Sequence, residues 1–237
     1  MIKEAIEYIV GMKKPHIEEI NGQTYSDKSL TRISYNPKAE EISMFTLSSL
    51  VEYIHAHIDE MPEKMVVHVQ SPTRVRLYSS LDHERRREYL VSVVAEVPTF
   101  KFNDFVEHES FCINVQSKFI DNEDRALLLK FAGTVEAGSV AEYGDDGISQ
   151  KATVKTGIAS KGEALVPSPL LLIPYRTFPE VEQPESEFVF RMKQGKYEGI
   201  LCGLFEADGG AWKIAAMQNI KEYLRASLEG TSITVIS

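Results

Sequence analysis

Three apolar, β-branched runs between residues 65 and 97 constrain the fold more than anything else in the chain. Residues 65–69 read Met-Val-Val-His-Val. Val75, Leu77 and Ser79 then alternate with Arg74, Arg76 and Tyr78, and residues 89–97 are long and Val-rich. Period-two alternation of this kind is the signature of a half-buried strand. Three such runs at close spacing predict an antiparallel meander.

Helical spacing brackets these strands. Ile2, Ala5, Ile6, Ile9 and Val10 fall at i, i+3, i+4, i+7 and i+8, an amphipathic helix stopped by Gly11. A helix of about ten residues is marginal alone, so it must dock on something. Residues 15–44 are polar and irregular, with Asn21-Gly22 as a turn signal and room for one hairpin. Leu47, Leu50, Val51, Ile54 and Ile58 predict a helix over 46–59, with Thr46 placed to cap it. Residues 103–109 read as helical, and 110–120 fit helix or strand. Asp121 with Asp124 resembles a capping box opening an apolar helix over 126–132, expected to be central because it is apolar on most sides.

Composition then changes. Twelve of the 14 Gly lie at or after Gly133, and five of the 10 Pro lie in 167–184, so the second half should be turn-rich and β-rich. Residues 143–147 read as a hairpin tip. Residues 170–173, bounded by prolines, read as an edge strand. Residues 187–192 and 197–205 flank a second hairpin. A final helix over 211–228 carries Ile214, Met217, Ile220, Leu224 and Leu228, and 233–236 forms a short terminal strand. The expected class is α+β: mainly antiparallel sheet with a central apolar helix, an N-terminal amphipathic helix and a C-terminal helix. One domain over 1–237 is expected, with 1–44 peripheral and a weak subdivision near 140.

The chain has 26 Lys+Arg against 35 Asp+Glu, a balance of −9, which argues mildly against bulk nucleic-acid binding. Hydrophobic residues at 43% exclude bulk disorder. Two cysteines, Cys112 and Cys202, exclude a disulfide scaffold and imply reduced, buried thiols. No apolar run reaches the roughly 18 residues of a membrane span, and Glu4 and Glu7 interrupt any signal-peptide core. The expected location is the cytoplasm, with no membrane partner.

Catalytic motifs are missing. Gly195-Lys196 is followed by Tyr197 where a phosphate loop needs Ser or Thr. Ser160 lacks the spacing of a nucleophile elbow. His55 and His57, two apart on a helix, point away from each other and cannot share an ion. His68 reads as a strand histidine, and His108 has no nearby Cys or His partner. Asp145-Asp146 suits a hairpin tip for backbone reasons. No metal, cofactor or catalytic residue is expected. Arg74, Arg76, Arg85, Arg86 and Arg87 form the densest positive cluster, a candidate contact for phosphate or an acidic partner, with Tyr78 and Tyr89 as the nearby aromatics.

The order of segments resembles the YfdQ-like family of uncharacterised phage and prophage proteins. The resemblance rests on residues 45–57, on Val66-Val67-His68 followed by 74–79, and on 100–131, where Phe102-Asn103-Asp104-Phe105 leads into the apolar helix. It rests also on Ser168-Pro169 and Pro174-Tyr175-Arg176, followed by a strand hairpin and helix. It implies a phage or prophage origin and a product in the bacterial cytoplasm, and it transfers no catalytic residue. The expected function is non-enzymatic self-association or macromolecular binding, with the chain itself, or a host or phage protein, as partner. Ile2, Ile6, Ile9, Val10, Pro167, Leu170, Pro174 and Pro179 are the candidate interface residues. The alternatives are a nucleic-acid accessory factor using the arginines, an inhibitor of a host defence system, and an enzyme whose site is assembled from scattered residues.

Overall fold

A computed structural model describes residues 2–11, 15–29, 38–62, 64–143, 150–155, 161–195 and 199–237, with backbone alone over 136–143, 151–155 and 161–164. The 144–147 hairpin tip, including Asp145-Asp146, and Ser160 lie outside the described residues. The class is α+β, and most strand pairings are antiparallel.

Contacts divide the chain after Lys38 rather than near 140. The N-terminal unit holds α1 (Ile2–Gly11), β1 (Ile17–Ile20) and β2 (Gln23–Ser26). The two strands pair antiparallel across Asn21 and Gly22, whose φ angles of 54° and 75° fit the primed turn that a two-residue hairpin demands.

The second unit, Ala39–Ser237, has two apolar cores. The first belongs to a five-stranded sheet. In chain order its elements are β3 (Ile42–Met44), α2 (Leu47–Ala56), β4 (Met65–Ser71), β5 (Arg74–Ser79) and β6 (Tyr89–Val94). The meander β4-β5-β6 is antiparallel, as the alternation requires. Thr46 caps α2, its side chain accepting from the Ser49 amide, and His57 ends it in a left-handed conformation. Val67, Val69, Val75, Leu77, Val91 and Val93 face α2 and the later helix of residues 211–227 in this core.

Helix prediction over 103–109 is corrected. Asn103 takes φ 60°, its N–H donates to Leu204 O at 2.8 Å, and its Oδ1 accepts from the Glu206 amide at 2.9 Å. Those bonds hold the segment extended. It becomes β7 (Val106–Glu107), and helix α3 (His108–Lys118) starts only where the Glu107 carboxylate accepts from the Glu109 and Ser110 amides. The next helix, α4 (Glu123–Ala132), is capped by Asn122, not by an Asp121–Asp124 box. Asp121 instead pairs with Arg125 at 2.6 Å. The helix is not central either. It lies over one face of its neighbours, burying Leu128 and Ala132 and leaving Leu127 half exposed.

Strands β8 (Val135–Tyr143), β9 (Gln150–Lys155) and β10 (Lys161–Leu165) form a three-stranded antiparallel sheet. Strands β11 (Leu170–Leu172), β12 (Ser186–Gln194) and β13 (Ile200–Glu206) join β7 in the order β11-β12-β13-β7. Phe188, Phe190, Met192, Cys202 and Leu204 of this sheet pack with Phe111, Val115 and Leu128 in the second core. Gly203 is fixed by space: a Cβ there would sit 2.7 Å from Asp104 O. The chain closes with α5 (Ala211–Ser227) and β14 (Thr234–Ile236), which pairs parallel with β4 and completes the order β14-β4-β5-β6-β3.

Candidate functional site

Among its described residues the N-terminal unit buries none. Every residue of α1, β1 and β2 is exposed, with Ile2 at 80%, Ile6 at 55%, Ile9 at 57% and Val10 at 53%. Ile17, Ile20 and Tyr25 of the hairpin are exposed too. Four of the sequence-derived interface residues therefore stand on one uncovered helix.

The other four do not form a matching surface. Leu170 and Pro174 are buried in the chain's own interior, Pro167 is half-buried, and Pro179 alone is exposed. Strand β11 is an edge strand, as its flanking prolines implied, but its outer backbone groups are already satisfied. Asp124 Oδ2 accepts from the Leu171 amide at 2.6 Å, and Asn122 Nδ2 donates to Leu171 O at 2.9 Å. Helix α4 thus supplies the edge protection that a neighbouring chain was expected to give. Asn122 serves twice, since its Oδ1 also accepts from the Arg125 amide at 2.8 Å. Asn122→Ala should lower the urea midpoint by an amount equal to about 1 kcal/mol, with an unchanged denaturant slope. A loss near zero would contradict the double role.

Beyond β11 the chain works as a strap between the two cores. Residue 174 bridges Phe119, and the Thr177 hydroxyl donates to Pro72 O, in the β4–β5 turn, at 2.5 Å. Phe178 is fully buried in the first core, beside Val181. The buried Gln183 side chain holds the curve: its Oε1 accepts from the Arg176 and Thr177 amides at 2.9 and 3.1 Å, and its Nε2 donates to Phe178 O at 3.0 Å.

Arg176 is a charged group that the sequence reading left unassigned. Its side chain is 7% exposed, pairs with Glu206 at 3.2 Å, donates to Ser186 Oγ and lies 4.0 Å from the ring centroid of Trp212. Burial pulls its pKa down to about 10, against the upward pull of Glu206 and Asp208. Glu206 also accepts from Trp212 Nε1 at 3.1 Å. This knot ties the strap to β13 and to the start of α5. The sequence carries no local signal for it: Arg176 and Trp212 lie 36 residues apart, and only the fold brings them together.

The arginine cluster is partly assembled. Arg76 pairs with Glu41 at 3.4 Å and lies over Tyr89, and Arg86 pairs with Glu84 at 3.5 Å. Arg87 lies over Tyr78 at 5.0 Å and donates to Ser79 O at 2.8 Å. Tyr78 and Tyr89 meet edge to face at 5.7 Å.

Cys112 and Cys202 are free and share the second core. Burial pushes both thiols up, so neither favours the reactive thiolate. His55 Nε2 lies 3.0 Å from Ser227 O, and His108 Nε2 lies 2.9 Å from Ala132 O. The expectation that His108 has no nearby Cys is corrected: Cys112, one helical turn on, brings its Sγ to 3.8 Å from the same nitrogen. Among the described residues no group of three His, Cys, Asp or Glu side chains is placed to hold a metal ion, and no helix is long and apolar enough to cross a membrane. No protein-family model matches the chain, and no match is found among curated proteins or solved structures.

Proposed function

We propose that this chain is a non-enzymatic protein, of the phage or prophage kind its segment order resembles, that works by associating with further copies of itself through its N-terminal unit. The observation behind this reading is the absence of any buried residue in α1, β1 and β2. A ten-residue helix and a two-stranded hairpin are each marginal in water. No described residue of the unit supplies their stabilising burial, and a further copy can.

Charge favours a second copy as the cover. Residues 1–38 carry six Lys/Arg and five Asp/Glu, so this unit is close to neutral, and the rest of the −9 chain is strongly acidic. Copies meeting through their acidic surfaces repel, whereas copies meeting through residues 1–38 do not. A symmetric contact also places the Ile2–Ile6–Ile9 stripe of one copy against the same stripe of the next, so each supplies what the other lacks.

Hydrogen exchange tests this locally. The amides of 2–11 should exchange about tenfold more slowly in concentrated than in dilute solution. Rapid exchange at every concentration would count against the reading.

A further inference from the structure

A second surface carries a different inference, independent of the N-terminal unit. We propose that the face of the β14-β4-β5-β6-β3 sheet opposite α2 and α5 binds single-stranded nucleic acid. Three aromatic side chains form a row across adjacent strands there: His68 of β4, Tyr78 of β5 and Tyr89 of β6. Their ring centroids are 6.1 Å apart for His68–Tyr78 and 5.7 Å apart for Tyr78–Tyr89. The register shift between Leu77 and Tyr78 sets Tyr89 opposite Tyr78 and keeps it on this side. Tyr89 is 47% exposed, the one open ring of the three. Arginines lie over the row, Arg87 at 5.0 Å from Tyr78 and Arg76 at 5.6 Å from Tyr89, and guanidinium planes stack on bases as aromatic rings do.

Charge points the same way. Residues 64–94 carry six Lys/Arg against three Asp/Glu, a surplus of three positive charges inside a chain whose balance is −9. Arg74 is exposed on β5, two residues from Arg76 on the same face, and Arg85 is exposed in the β5–β6 loop. Among the described residues no carboxylate pairs with Arg74 or Arg85. Tyr78, at the middle of the row, is buried, so Arg74 and Arg85 are placed to take phosphates while the exposed Tyr89 takes a base. A duplex hides its base faces in the stack, so the exposed Tyr89 ring suits unstacked bases.

The test is fluorescence anisotropy with the full chain and a labelled thymidine oligomer about 20 nucleotides long. With roughly three phosphates neutralised, binding should weaken roughly 40-fold between about 50 and about 300 mM salt. Tyr89→Ala should weaken it about tenfold, and Arg74→Glu with Arg85→Glu should weaken it by at least about tenfold. All three residues are exposed, so melting temperatures should match the parent. If the charge reversals disturb folding, Arg74→Gln with Arg85→Gln should still weaken binding several-fold. No binding at about 50 mM salt, undiminished binding by these variants, equal affinity for a duplex of the same length, or displacement by polyglutamate of equal charge would each overturn the assignment.

Discussion

Phe178→Ala lowers the folding stability by about 3–5 kcal/mol, the range for a large aromatic removed from a closed core. The ring is fully buried among residues from α2, the meander and α5, while its chain neighbours Leu170 and Leu172 belong to the other core. Losing it leaves a cavity that the strap cannot close by sliding. Gln183 and Thr177 fix the backbone on either side, to itself and to Pro72. Urea unfolding at neutral pH measures the loss. A loss under about 1 kcal/mol would mean that residues 174–184 do not staple the two cores.

Arg176→Ala comes next, with an expected loss of about 3 kcal/mol. Removing a buried cation strands its partners: Glu206 loses its ion pair, and Ser186 and the Trp212 ring lose their contact. The partial exposure of Glu206 lets water take up some of that charge, which keeps the figure at the lower end of the range for broken buried pairs. Trp212 is the only tryptophan, so its emission reports on this point alone. The variant should show a red-shifted emission maximum in the folded state. Arg176→Lys should rescue little, because an ammonium cannot reproduce the guanidinium's planar donors over the indole. Unchanged emission together with unchanged stability would contradict the role given to Arg176.

What could be read from the sequence was what repeats locally. The helix at 47–56, the meander and the final helix each follow from apolar spacing over ten or so residues, and proline placement correctly put 170–172 at an edge. Pairings between distant segments left no such trace. The parallel contacts of β14 with β4 and of β3 with β6 join stretches far apart in the chain. Where one polar side chain redirects the backbone, periodicity also misled: Asn103 turns a helix-like stretch into an extended one, and Asn122 takes the cap assigned to Asp121. The interface residues divided for a related reason. A stripe such as Ile2–Ile6–Ile9 states that it must be covered, not by what. For Leu170 the cover came from the chain's own second core, and the outer backbone of its neighbour Leu171 is taken by the Asn122 and Asp124 side chains at the head of α4. For the N-terminal stripe no cover exists within the described residues of its own unit.

Light scattering on the purified chain, beside the double variant Ile6→Glu, Ile9→Glu, tests that last point most directly. Both positions are exposed in the single chain, so the substitutions cost its folding little. The parent should run as a defined assembly at a multiple of 26.7 kDa, and the variant should fall to that mass. A parent already at 26.7 kDa at high concentration, or a variant that assembles as the parent does, would contradict self-association through the N-terminal unit.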